Sequence, residues 1–125
     1  MMKSTAHRTG AVLYIIWGLL HLKASYAVYS LGQSLEPGIV QGRVFQDAFS
    51  LLFFAAAGIF IASRYNWNNS RLGYWMNLII VSVTDSGFIF FILLPGYVPL
   101  IPGIAGPAVW LPAVVFTTIG YMNTD

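Results

Sequence analysis

"IIVSVTDSGFIFF", residues 79–91, sets a single carboxylate, Asp85, in the middle of a run that is otherwise apolar or small. In lipid, an ionised side chain near the bilayer centre costs roughly 2.5 to 3.5 kcal/mol on insertion scales, so it requires a partner or a task. Composition identifies the solvent. Of 125 residues, 58% are hydrophobic and 8% charged, and mean hydropathy is +0.73. A soluble domain carries about 25% charged residues. The chain reads as an integral membrane protein.

Outward from this segment, four stretches have the roughly 20 apolar residues that a helix needs to cross the hydrocarbon core. They are residues 10–31, 45–63, 72–94 and 101–121. The connections "GQSLEPGIVQGR" (32–43), "RYNWNNSR" (64–71) and "PGYVPLIPG" (95–103) are short and punctuated by Gly, Pro or Asn. The expected fold is therefore all-α: one domain over 1–125, built as an antiparallel bundle of four transmembrane helices. Five of the six prolines fall within 95–112. Pro107 and Pro112 lie inside the fourth span, where each removes a backbone donor, so that helix is expected to be kinked. The carbonyls freed at Gly103 and Ala108 then need partners that lipid cannot supply.

Lys3 and Arg8 precede span one, and Arg64 and Arg71 flank the connection between spans two and three. Arg43 alone occupies the opposite loops. The positive-inside rule puts both termini in the cytoplasm, with residues 32–43 and 95–102 outside, in a bacterial inner or plasma membrane. Trp67, Tyr65, Tyr74 and Tyr97 suit interfacial anchoring. A rival reading takes residues 1–10, 11–22 and "ASYA" (24–27) as a cleaved leader, but the apolar character runs on through Tyr26, Val28, Tyr29 and Leu31.

Several classes are disfavoured. The net charge of +2, from six basic and four acidic residues, leaves no clustered nucleic-acid footprint. With no cysteine, thiol redox chemistry and thiolate ligation are absent. Phosphate loops, dinucleotide fingerprints and nucleophilic triads are missing. One intramembrane histidine with Asp85 and Asp47 makes a poor metal set, so no metal and no cofactor are expected.

At 100° per residue, span three gathers Tyr74, Asn77, Thr84 and Asp85 on one stripe, and span one gathers Tyr14, Trp17, Gly18, His21, Ser25 and Tyr29. Lys23 falls opposite. His21 and Asp85 lie about 18 and 21 Å from their cytoplasmic ends, at matching depth. A hollow opening outward is expected, lined by Tyr14, Trp17, Ser25, Asn77, Thr84 and Trp110 around a catalytic pair, His21 and Asp85. Asp47 and Arg43, one turn apart, are expected to pair at the interface. Lys23 either joins Asp85 or snorkels outward.

A carboxylate beside an imidazole suits general acid/base work on a lipophilic substrate, such as isomerising a double bond or opening an epoxide, without a cofactor. The same pair serves proton-coupled transport, or simply holds helices together at about 0.6 kcal/mol. "AAAG" (55–58) and "GIAG" (103–106) let backbones approach within the chain or between copies. A homo-oligomer, or an accessory subunit of a larger membrane complex, is the alternative. The expected partners are membrane lipid and a small lipophilic ligand.

Overall fold

The computed structural model describes residues 2–123, with side chains from residue 5 onward; Lys3, counted above among the basic flanks, lies outside the described side chains. The chain is 87% helix, and no strand occurs among the described residues. The helices are α1 (Met2–Gln33), α2 (Ile39–Arg64), α3 (Arg71–Phe88), the one-turn α4 (Leu100–Gly103) and α5 (Ala105–Met122). Four candidate spans, Thr5–Gln33, Ile39–Asn68, Arg71–Leu93 and Ala105–Met122, are long and apolar enough to cross a membrane, and the protein is a membrane protein on that basis.

α1 is the central helix and packs along both α2 and α5, while α3 packs on α2 and α5. Small residues permit these approaches. A Cβ placed on Gly18 would stand 2.9 Å from the Ala55 carbonyl of α2, and one on Gly10 would stand 2.9 Å from the Thr117 nitrogen of α5. One end of the molecule is tied by contacts between distant segments. Arg8 lies over the Trp67 ring at 5.0 Å, Arg71 lies over Tyr121 at 5.5 Å, and Asn69 Nδ2 donates to the Gly120 carbonyl at 3.0 Å. The start of α1, the α2–α3 connection and the end of α5 therefore meet. At the other end, Gln41 Nε2 donates to the carbonyls of Gly32 and Leu35, and Tyr29 packs on Phe45.

Local chemistry sets the boundaries. Ser70 caps α3 by accepting from the Gly73 amide, and Asn69 before it takes the left-handed conformation that its side chain tolerates. Beyond Phe88, the helix widens into a π turn over Ile89–Leu93. Pro107 stands in the first turn of α5, where its missing N–H would have had no helical partner. Pro112 alone interrupts the ladder inside α5, and the backbone leaves helical geometry earlier, at Ile101 (φ −113°, ψ 120°), whereas Ile104 between α4 and α5 is helical.

The interior combines small and aromatic apolar side chains, Tyr14, Trp17, Ala62, Val81 and Ala113 at its centre, with a set of polar ones. Asn77, Asp85, His21, Ser25, Asn66 and Thr117 are buried, whereas Leu19, Phe53, Phe60, Ile79, Val83, Phe90 and Phe91 are exposed on the helix exteriors. In water this arrangement would be self-defeating. In lipid it is what a bundle requires, since acyl chains solvate the leucines and phenylalanines and only the protein can satisfy the amides and carboxylate.

Candidate functional site

α3 buries Gly73, Asn77, Val81 and Asp85, one residue every four, so a single ridge faces inward. α1 answers with Tyr14, Trp17, Gly18, His21 and Ser25. The two ridges meet where the sequence has its two ionisable groups at equal depth. His21 Nε2 lies 3.3 Å from Asp85 Oδ1, the one ion-pair contact among the described residues. Asp85 has no exposed surface, and His21 retains 9%.

Trp17 completes the cluster. Its indole N–H forks across both carboxylate oxygens, at 3.1 Å to Oδ1 and 3.1 Å to Oδ2. Its ring stacks on the His21 imidazole, with centroids 4.0 Å apart and planes inclined by 25°. Its main-chain carbonyl lies 2.8 Å from His21 Nδ1. From α5, Gly106 closes the remaining side: a Cβ there would sit 3.0 Å from His21 Cε1 and 3.7 Å from Asp85 Oδ1. The spacing of Trp17 and His21 puts them on one face, but spacing alone makes Trp17 no more than a lining residue and gives Gly106 no role. The "GIAG" run is the one signal in the sequence for that close approach.

The other expected lining residues are not gathered on the pair. Tyr14 is buried two turns away, toward the start of α1, and its hydroxyl makes no hydrogen bond among the described residues. Asn77, two turns from Asp85, donates to the Gly58 carbonyl at 3.2 Å and to Asn66 Oδ1 at 2.8 Å, tying α3 to α2 and its following turn. Thr84 turns its hydroxyl to its own helix at Ile80. Trp110 donates to Ser82 Oγ at 3.0 Å, which fixes α5 to α3 beside the pair without touching it. Lys23 is exposed and makes no ion pair among the described side chains. Arg43 donates to Gln46 Oε1 at 2.9 Å, and no contact to Asp47 within 4.0 Å forms. A neutral amide one residue closer takes the guanidinium instead of the carboxylate.

The expected hollow is also displaced. Indole, imidazole and Gly106 seal the carboxylate. A groove of about 350 Å³ lies between α1 and α2, lined by Leu22, Ser25, Tyr26, Tyr29, Ala48, Phe49 and Leu52. Ser25, one turn beyond His21, is the only one of the expected lining residues on its wall. The groove lies toward the α1–α2 connection, away from the arginine-bearing end. His21 and Asp85 supply two potential metal donors, and no third His, Asp or Glu joins them among the described residues.

No protein-family model, no curated protein and no solved structure matches the chain.

Proposed function

We propose that the chain binds a small lipophilic molecule from the bilayer and acts on it by acid/base chemistry at His21 and Asp85. The observation that carries this reading is the buried 3.3 Å contact of Nε2 with Oδ1. An acid and a base in contact in a low dielectric can add a proton to one carbon of a double bond and take one from the carbon beyond the bond's other end. A double bond then moves with no net proton or electron consumed. Opening an epoxide uses the same two roles, the acid at the ring oxygen and the base at the attacking water. The groove beside Ser25 supports lateral entry from lipid.

The topology belongs to the same proposal. Four spans form an antiparallel bundle with both termini cytoplasmic, supported by Arg8 and Arg71 meeting the α2–α3 connection and the end of α5. The bend of the fourth span belongs to the proposal as well, supported by the non-helical backbone at Ile101 just ahead of α5. A second reading, a structural clasp in an accessory subunit, is favoured by the complete burial of Asp85.

The test works on a mixed lipid pool, whichever of its members is the substrate. Purified protein in nanodiscs carrying the total lipid of its expression host is incubated in deuterated, ¹⁸O-enriched water, and the lipids are analysed by mass spectrometry. Isomerisation leaves deuterium on carbon, and hydration leaves ¹⁸O. The expected result is a marked species with the wild type that falls at least 100-fold with Asp85→Asn and with His21→Gln, both still folded, in line with the loss of a general acid/base. No marked species with the wild type, or equal marking in all three, overturns the reading.

A further inference from the structure

We propose, resting on that acid/base reading, that Trp17 is the positioning residue of the pair. Through its carbonyl and its indole together it holds His21 in the Nδ1–H form and keeps one proton shared by the Nε2 and Oδ1 pair.

The argument begins with the carbonyl. A main-chain oxygen can only accept, so the 2.8 Å contact with Trp17 O requires a proton on Nδ1. Turning the ring over would set two carbons against the Trp17 and Asp85 oxygens, so the orientation follows from the contacts. Nδ1 is thereby spoken for, and Nε2 is the one nitrogen able to take or release a proton. Nε2 faces Oδ1 at 3.3 Å. Two bare lone pairs repel at that separation, so one proton lies between them. The pair is either imidazolium with carboxylate or imidazole with carboxylic acid, and it is neutral as a whole in both forms.

Trp17 selects the first form. An N–H shared equally by two oxygens, at 3.1 Å each, matches a carboxylate that is symmetric in charge. The indole face at 4.0 Å attracts a cationic imidazole. One residue thus serves the acid by its face and its carbonyl, and the base by its N–H. The substrate class narrows accordingly. The pair is neutral overall, and the groove one turn away, lined by Tyr26, Tyr29 and Phe49, offers no counter-charge to an ionic head group. The site takes an uncharged lipophile, and the proton it trades is the one on Nε2.

The test is ligand-free NMR of the full chain in nanodiscs, with ¹⁵N-histidine, ¹³C-aspartate and ¹⁵N-tryptophan labels. His7→Gln removes the other histidine signal. In the wild type, both His21 nitrogens are expected to show one-bond coupling to hydrogen, and Asp85 is expected to read as carboxylate. In Asp85→Asn, the Nδ1 coupling persists, the Nε2 coupling disappears and the Trp17 indole resonance moves. In Trp17→Phe, the carbonyl still holds the Nδ1 proton, while the other proton passes to Asp85, so Nε2 becomes bare and the carboxyl signal moves to the protonated range.

A wild-type Nδ1 without hydrogen overturns the proposal, as does a Trp17→Phe spectrum with unchanged Nε2 and Asp85 signals. Should Trp17→Phe fail to fold, the wild-type couplings and the indole shift in Asp85→Asn decide it. These signals are read without substrate. Failure here leaves the lipid-marking result standing, and an unmarked lipid pool leaves the tautomer and proton count standing.

Discussion

Asp85 is held without water because two side chains substitute for it, the forked indole N–H of Trp17 and the imidazole of His21. Which atoms are removed therefore matters more than whether charge is removed. Asp85→Asn keeps an oxygen for the indole and offers an N–H to Nε2, so unfolding in detergent is expected to shift by no more than about 1 kcal/mol. Asp85→Ala strands both the indole N–H and Nε2 in a dry interior, at about 1 to 3 kcal/mol each, and leaves a void besides. Thermal or chaotrope unfolding of the two variants checks this, with alanine expected to lose about 3 kcal/mol more than asparagine. At this scale the sequence is legible in part. Depth and periodicity set His21 level with Asp85, because rise and twist are fixed by the helix. They do not show that Trp17 turns its N–H across to α3, nor that Arg43 prefers Gln46 to Asp47, because rotamers follow from neighbours that only the fold supplies.

Helices that share no hydrophobic driving force in lipid associate by close contact, and glycines set that contact. Gly10 lies against Thr117 and Ala113: an added Cβ would stand 2.4 Å from Thr117 Cγ2 and 3.3 Å from the Ala113 carbonyl. The Thr117 nitrogen at 2.9 Å belongs to backbone and cannot swing aside. Gly10→Ala must therefore part α1 from α5, with an expected loss of about 2 kcal/mol or more from overpacking. Gly42, in the first turn of α2, has nothing within 4 Å of the same position. Gly42→Ala is expected to stay within about 0.5 kcal/mol of wild type. Unfolding midpoints of the two variants, measured side by side, separate a packing glycine from an incidental one. All four spans are legible from length and hydropathy. Where span four begins is not, because prolines at 99, 102, 107 and 112 each look like breakers until the fold places Pro107 in a first turn, where its missing donor costs nothing.

For the molecule as a whole, the asymmetry of charge and the position of the groove coincide. Arg8, Arg64 and Arg71 share the end where α1 begins and α5 finishes, while the end near the groove carries Arg43 and Lys23 balanced by Glu36 and Asp47. The proposed topology, with Arg8, Arg64 and Arg71 cytoplasmic, predicts the groove, and the pair one turn from it, in the outer half of the bilayer. Because the chain has no cysteine, single cysteines report this without background. Glu36→Cys, exposed in the α1–α2 connection, is expected to react with a membrane-impermeant maleimide on intact cells. Asn68→Cys, beyond the end of α2, is expected to react only after permeabilisation. The reverse pattern would turn the groove toward the cytoplasm, and labelling of both on intact cells would break the alternation of spans. Since lipophiles enter sideways from either leaflet, the first of these outcomes would move the substrate pool to the inner leaflet while leaving the chemistry of Trp17, His21 and Asp85 as described.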